Sequence, residues 1–132
     1  MGRVQQPEIV YLDTHILMWL YDGLVEKISP LAQEYLITGH LHFPPMAELE
    51  LQYLHEIGRV KPTAQKVVHA LQIDLGLKRG DLSFGDVMRH ALKLEWTRDP
   101  FDRLIVAEAS LANARLITRD ETIRMHYQLA IW

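Results

Sequence analysis

TRDPFDRLIVAEASLANARLITRDE, residues 97 to 121, contains the signals of one helix and of the strand that follows it. Its Asp99-Pro100 pair is typical of a helix start, with aspartate as the N-cap and proline in the first helical position. Apolar residues then recur at helical spacing and predict a helix over residues 100–113. The next five residues, ARLIT, predict a short buried strand, and Arg119-Asp120 follow at its C-terminal end. A helix that leads directly into a buried strand is typical of α/β proteins.

The rest of the chain shows the same alternation of strands and helices. Short β-rich runs predict strands at residues 9–12 and 40–43. Apolar periodicity and the Ser, Pro and Gly residues at helix ends predict helices at residues 15–21, 29–39, 45–57, 62–75 and from residue 83 onward. At the start of the last of these, Ser83 and Asp86 match a capping box, in which each side chain bonds the other residue's backbone amide. The pattern predicts an α/β layer structure with a mostly parallel central sheet, in a single domain over residues 1–132.

The composition narrows the chemistry that the chain supports. With 132 residues, 48% of them hydrophobic and none of them cysteine, the chain is suited to one packed core without disulfides, thiolate zinc sites or cysteine nucleophiles. The net charge of −3 argues against a protein that holds nucleic acid simply by neutralising phosphates, so a phosphate substrate would need a bound cation. We expect a cytoplasmic protein without a membrane partner, because the N-terminus has no signal-like apolar region and the longest apolar run, residues 16–21, is too short to span a bilayer.

One carboxylate stands out within a predicted helix. Glu50 falls on the face of the 45–57 helix that carries its apolar residues, whereas Glu48 falls on the polar side. The apolar residues of that face are Met46, Leu49, Tyr53, Leu54 and Ile57. A lone buried carboxylate is costly, so Glu50 must be paired, protonated or bound to a metal. The alternative is a half-covered face on which Glu50 bonds a nearby amide or arginine.

Three aspartates lie where ligands collect in open α/β sheets, outside the carboxyl ends of the strands. Asp13 and Asp120 follow predicted strands, and Asp102 lies in the first turn of a helix. Each has a structural alternative, as a helix cap or as part of a capping box. Together with Glu50, however, they would place several like charges close together, and a divalent cation would neutralise them. Oxygen ligands favour Mg²⁺ or Mn²⁺, which would activate water for attack on a phosphodiester.

Three segments carry a family resemblance: YLDTHILMWLYDG near the start, MAELELQYLHEIGRV in the first half, and WTRDPFDRLIVAEASLANARLITRDETI near the end. In this order they resemble the PIN-domain ribonucleases, in particular the VapC-type toxins of toxin–antitoxin pairs. The resemblance covers nearly the whole chain and implies a three-layer α/β/α domain that cuts RNA with Mg²⁺ or Mn²⁺. It implies that Asp13 and Asp102 are inner metal ligands. Glu50 and Asp120 would complete the site or act through bound water.

The resemblance also suggests auxiliary residues and partners. Thr14 and Thr118 would orient a ligand or phosphate, and Arg103 and Arg119 would contact RNA phosphates or pair with the carboxylates. A homodimer and a cognate antitoxin are implied, with the antitoxin blocking the site by presenting an arginine to the acids. One departure is Pro44-Pro45, where relatives often carry serine before the glutamate helix.

Other interpretations stay open. The main alternative is a catalytically idle PIN-like module that binds protein or RNA, in which exposed aromatic residues form an interface; the candidates are Trp19, Tyr21, Tyr53 and Trp96. The histidines, with His40 and His42 on one face of a predicted strand and His15 just past Asp13, allow a transition-metal or acid–base function. A phosphoaspartate receiver domain also begins with a strand-end aspartate.

Overall fold

A computed structural model of the chain describes residues 8–132. The strands are β1 (Ile9–Leu12), β2 (His40–Phe43), β3 (Lys78–Arg79), β4 (Arg115–Ile117) and β5 (Ala130–Ile131). The helices are α1 (Thr14–Tyr21), α2 (Pro30–Thr38), α3 (Pro45–Glu56), α4 (Ala64–Leu75), α5 (Phe84–Ala91), α6 (Pro100–Leu111) and α7 (Glu121–His126), with a 3₁₀ turn at Val25–Lys27. Residues 1–7 lie outside the described residues. They belong to the N-terminal segment in which we expect no signal sequence. No helix within residues 8–132 is long and apolar enough to cross a membrane.

The strands form one sheet in the order β3-β2-β1-β4-β5, and every neighbouring pair is parallel. The central strand β1 pairs with β2 through Val10 and Leu41 and with β4 through Leu12 and Ile117. Consecutive residues of β1, Val10, Tyr11 and Leu12, are all at most 3% exposed. Because successive side chains of a strand point to opposite faces, helices must cover both faces of the sheet. The predicted α/β fold with a mostly parallel sheet is confirmed.

The helix ends follow the residues that predicted them. Ser29 accepts a hydrogen bond from the Ala32 amide at 3.1 Å and begins α2, and Gly76 ends α4 in the left-handed conformation at φ 65°. The capping box predicted at the start of α5 is half wrong. The Ser83 hydroxyl accepts from the Asp86 amide, but the Asp86 carboxylate pairs with Arg89, one turn further along the helix, instead of reaching back to the Ser83 amide.

The buried face of α3 differs from the predicted one. Ala47 and Leu51 are the completely buried residues of this helix. The predicted positions Leu49, Tyr53 and Ile57 are instead about half exposed, at 55%, 47% and 49%. The helix packs against α1, α4 and α6, and the side of it that carries Ala47 and Leu51 is the buried one. Glu50, one turn after Ala47, therefore flanks the buried face instead of lying inside an apolar stripe.

A second carboxylate is buried away from the sheet edge that carries the aspartates. Glu108 of α6 is 4% exposed, and within the described residues its Oε2 has no hydrogen-bond partner. It lies against Gly80, where a Cβ atom would be 1.8 Å from Oε2 and 2.7 Å from the Tyr11 hydroxyl. Burial raises the pKa of Glu108, while the nearby Tyr11 hydroxyl opposes the rise. The chain therefore needs a residue without a side chain at position 80.

Candidate metal centre

The parallel sheet brings the predicted acidic residues to one place. Asp13 follows β1 and Asp120 follows β4, and these strands are parallel neighbours whose carboxyl ends meet at the same edge. Glu50 reaches this edge from α3, and Asp102 reaches it from the first turn of α6. All four side chains line one cavity of about 310 Å³, and His15, Trp19 and Arg119 complete its wall.

Asp13 has a structural and a chemical role at the same position. Its Oδ1 accepts a hydrogen bond from the Thr14 amide at 2.7 Å and caps α1, and its Oδ2 accepts from the Thr118 hydroxyl at 2.6 Å. Burial raises the pKa of Asp13, the two hydrogen bonds oppose this rise, and the nearby charge of Asp120 adds to it. The carboxylate is thus held in one orientation at the base of the cavity.

Thr118 connects two of the acids. Its completely buried hydroxyl donates to Asp13 Oδ2 and accepts a hydrogen bond from the Asp120 amide at 3.1 Å. Asp120 in turn caps α7, with its Oδ1 accepting from the Ile123 amide at 2.9 Å. The relative positions of Asp13 and Asp120 are therefore fixed by a single hydroxyl group.

Glu50 is held in the same manner by a second threonine. The buried Thr14 hydroxyl donates to Glu50 Oε1 at 2.6 Å, which leaves Oε2 without a partner among the described side chains. Burial raises the pKa of Glu50, and the carboxylates of Asp13 and Asp99 raise it further. The hydrogen bond from Thr14 opposes the rise because it favours the charged form.

Asp102 is half-buried among other acids and has no cation beside it in the described part of the chain. No side chain within residues 8–132 donates a hydrogen bond to its carboxylate. Burial raises its pKa to about 7, with further contributions from Asp99, Asp13, Asp120 and Glu50. Since every neighbouring charge acts in the same direction, the group lacks a cationic partner.

Asp99 contributes to this field although it acts as a cap. Its Oδ1 accepts hydrogen bonds from the amides of Phe101 at 2.8 Å and Asp102 at 3.3 Å. The predicted cap is confirmed. Its charge also raises the pKa of Asp102 and Glu50, an effect that sequence reasoning missed. The sequence signal for this effect was the spacing of the two aspartates. Asp99 is the cap of the helix and Asp102 follows three residues later, which places the two side chains one turn apart.

The residues at this edge fit a hydrated divalent cation. They offer several carboxylate oxygens, and Arg119 is the one Lys or Arg among the described residues that line the cavity. Within residues 8–132, no three or more Asp, Glu or His side chains are arranged as a cage that could hold a metal ion by themselves. Mg²⁺ does not need such a cage, because it keeps several waters and commonly uses one or two carboxylates together with substrate phosphates. His40 and His42 belong to no such cage within the described residues.

The auxiliary residues divide into two groups. Thr14 and Thr118 are completely buried, and their hydroxyls donate to Glu50 and Asp13. Arg103 donates from its guanidinium to the Ala91 and Leu92 carbonyls at the end of α5, both at 3.2 Å, and does not line the cavity. Arg119 does line the cavity.

His15 and Trp19 also line the cavity, although the sequence argument gave neither a place in the acidic site. The available signal was their spacing: they lie two and six residues after Asp13, on the helix that this aspartate caps. Residues four apart share one face of a helix.

The fold and this cavity place the protein in the class of α/β/α domains that carry an acidic site at the carboxyl edge of a parallel sheet. The family model for the PIN domain matches residues 10–127. The chain belongs to the PIN domain family, as the sequence predicted.

Solved structures show the same fold at low sequence identity. VapBC2 from Rickettsia felis, bound to a DNA fragment from its promoter, has a TM-score of 0.68 at 18% identity, with 94% of this chain and 97% of that chain covered. A toxin–antitoxin complex from Klebsiella pneumoniae has a TM-score of 0.60 at 18% identity, with coverage of 93% and 96%. VapBC-1 from nontypeable Haemophilus influenzae has a TM-score of 0.57 at 17% identity, with coverage of 92% and 95%. Among curated protein sequences, none matches the chain.

Proposed function

We propose that this protein is a divalent-metal-dependent endoribonuclease and the toxin of a toxin–antitoxin pair. The observation that carries the proposal is the convergence of Asp13, Glu50, Asp102 and Asp120 on one cavity at the carboxyl edge of a PIN-domain sheet. Such a cluster is repulsive by itself, as the raised pKa of Asp102 indicates. A cation that binds there neutralises the acids and supplies the positive charge that the chain lacks for a phosphate substrate.

The acids have separable roles in this proposal. Asp13 and Asp102 would hold Mg²⁺ or Mn²⁺ directly, and Asp120 would complete the site. When bound, the ion acts as a Lewis acid toward the phosphodiester. Glu50 would accept the proton of the attacking water at Oε2, since Oε1 is occupied by the Thr14 hydroxyl. Thr14 and Thr118 would keep the carboxylates in place, and Arg119 would contact an RNA phosphate.

We also infer an antitoxin partner and a homodimer. The solved structures with this fold include toxin–antitoxin complexes, which supports an antitoxin partner. That partner would cover the acidic cavity and present an arginine to the acids, as the family resemblance implies. A dimer is supported by exposed apolar side chains, among them Leu49 at 55% and Phe84 at 68%, which border one groove beside α3 and α5. We treat the chain as one domain, because one buried cluster combines residues from β1, α4, α6 and β5.

Calorimetry with Mg²⁺ and Mn²⁺ on the wild type and Asp102→Asn, with a parallel RNA-cleavage assay, tests the proposal. We expect the variant to lose metal binding and cleavage together. Asp86→Asn is a matched control, because Asp86 is exposed and pairs with Arg89 outside the cavity. A folded, antitoxin-free wild type that neither binds metal nor cleaves RNA would contradict the proposal and favour the idle binding module.

A further inference from the structure

The groove beside α3 and α5 continues inward to α6 and is separate from the acidic cavity. It has a volume of about 370 Å³, and it shares no lining residue with the acidic cavity among the described residues. Its apolar lining includes Met46, Leu49, Phe84, Val87 and Leu104. Of these, Leu49 and Phe84 are exposed and form the rim, whereas Val87 and Leu104 are buried and form the floor. The volume lies within the ~300–1,000 Å³ that is usual for small-molecule sites.

A single carboxylate lies at the floor of this groove. Glu108 is 4% exposed, and it is the one charged side chain among the described residues that line the groove. No Lys, Arg or His within residues 8–132 forms an ion pair with it. The charge that acts on its pKa is that of Asp81, another acid, which adds to the rise caused by burial. Because a buried carboxylate without a cation is costly, the floor of the groove favours the binding of a positive charge.

The surroundings of Glu108 leave space for this carboxylate. The backbone of Gly80 lies so close that a Cβ atom there would be 1.8 Å from Oε2, an oxygen that has no hydrogen-bond partner within the described residues. The Tyr11 hydroxyl, on the buried central strand, favours the charged form of Glu108. An apolar side chain at position 108 would fill the same floor without the cost of a buried charge. The acid therefore adds charge selectivity to a groove that is otherwise apolar.

We propose that this groove binds a small organic amine, whose ammonium group pairs with Glu108 and whose apolar body packs on Val87 and Leu104. Small-molecule sites are mostly apolar and contain a few polar groups that fix the orientation of the ligand, and this groove has that composition. Charge complementarity selects a cation over a neutral or anionic ligand. The dimer inferred above would cover the rim, but an apolar partner surface would leave Glu108 unpaired beneath it. The site is independent of the proposed ribonuclease function, since the acidic cavity is lined by other residues.

Calorimetry with 2-phenylethylamine, and with 2-phenylethanol as its uncharged counterpart, tests the site in a buffer free of amines. We expect the wild type to bind the amine about 10- to 100-fold more tightly than the alcohol, the ratio that a hydrogen bond to a charged group gives. Glu108→Gln keeps the shape of the side chain without its charge and should bind the two compounds with similar affinity. Asp81→Asn is a matched control, because Asp81 is an exposed acid near Glu108 that does not line the groove. It should keep the preference of the wild type.

Nuclear magnetic resonance locates the bound amine, because the acidic cavity also attracts cations. In ¹H–¹⁵N spectra of the wild type, the amides of Gly80 and Val87 should shift when 2-phenylethylamine is added. Asp102→Asn, which lacks one charge of the acidic cavity, should bind the amine like the wild type. Shifts confined to residues of the acidic cavity, such as His15 and Arg119, would overturn the proposal.

An exposed position provides a second variant if Glu108→Gln does not fold. Phe84→Ala removes an apolar contact at the rim and should weaken the binding of both compounds, with the preference for the amine retained. Unchanged binding of both compounds by Phe84→Ala, or unchanged binding of the amine by Glu108→Gln, would contradict the site. A folded wild type that binds neither compound would also overturn the proposal, and a dimer in size-exclusion chromatography would then identify a second copy as the occupant of the groove.

Discussion

Replacing Asp102 by asparagine should stabilise the metal-free protein at neutral and alkaline pH. The pKa of this carboxyl rises from the ordinary 3.8 to about 7, first because it is buried and then because Asp99, Asp13, Asp120 and Glu50 repel its charge. The folded state therefore holds the proton more tightly than the unfolded state. The stability that this tighter proton binding gives to the folded state is fully present below pH 3.8, and it is lost as the pH rises to about 7. At ~1.4 kcal/mol per pH unit, the loss is at most about 4 kcal/mol for the wild type, and solvent screening of this partly exposed carboxyl group reduces it.

The side chain at position 102 of the Asp102→Asn variant is uncharged at every pH, so this variant should avoid most of that loss of stability. Urea denaturation in the presence of a chelator should give it a free energy of unfolding about 2–4 kcal/mol above the wild type at pH 8, and a much smaller advantage at pH 4. Asp86→Asn, at an exposed position, should show no such trend. Added Mn²⁺ should reverse the order, because it stabilises only the protein that binds it. A variant that is no more stable than the wild type at pH 8 in chelator would refute the reasoning that burial and the neighbouring acids destabilise the charged form of Asp102.

Further changes test other parts of the site. Thr118→Val removes the hydroxyl that orients Asp13 and Asp120 and should weaken Mn²⁺ binding, measured by calorimetry, roughly 10- to 100-fold. Thr118→Ser keeps a hydroxyl and should keep the wild-type affinity. Equal affinity in all three proteins would exclude the positioning role. Glu50→Gln should abolish RNA cleavage in a gel assay, whereas Glu48→Gln on the same helix, paired with Arg79 outside the cavity, should leave cleavage unchanged; loss in both would point to damage of α3. Gly80→Ala should lower the free energy of unfolding by about 1–3 kcal/mol in urea, since the new Cβ overlaps the Glu108 carboxylate; an unchanged midpoint would mean that this carboxylate moves freely.

The parts of the structure that could be predicted from the sequence depend on local patterns. Residues within a few positions of each other predict four of these features. They are the strand before Asp13, the caps Ser29 and Asp99, and the carboxyl-edge position of Asp120. Strands β3 and β5 have two residues each, too few to show any periodicity. They form because the rest of the sheet offers them an edge to pair with.

The four acids that the sequence was expected to bring together do line one cavity, but the reason given for Glu50 is wrong. Glu50 does face the acids, but the apolar face used to argue this is largely exposed. The bonds that hold the acids join residues 36 and 105 positions apart, Thr14 with Glu50 and Thr118 with Asp13. No local pattern encodes such contacts, because they depend on which strands become neighbours.

The two-residue edge strands also determine how the protein meets other chains. A long exposed edge offers a row of unpaired amides and carbonyls on which a foreign strand can assemble. Here β3 consists of Lys78 and Arg79, and β5 consists of Ala130 and Ile131, so neither edge is long enough to template strand addition. Charged residues on one edge add further protection against amyloid-like growth. We therefore expect partners to bind the helices and side chains of residues 8–132 and not to add a strand to the sheet.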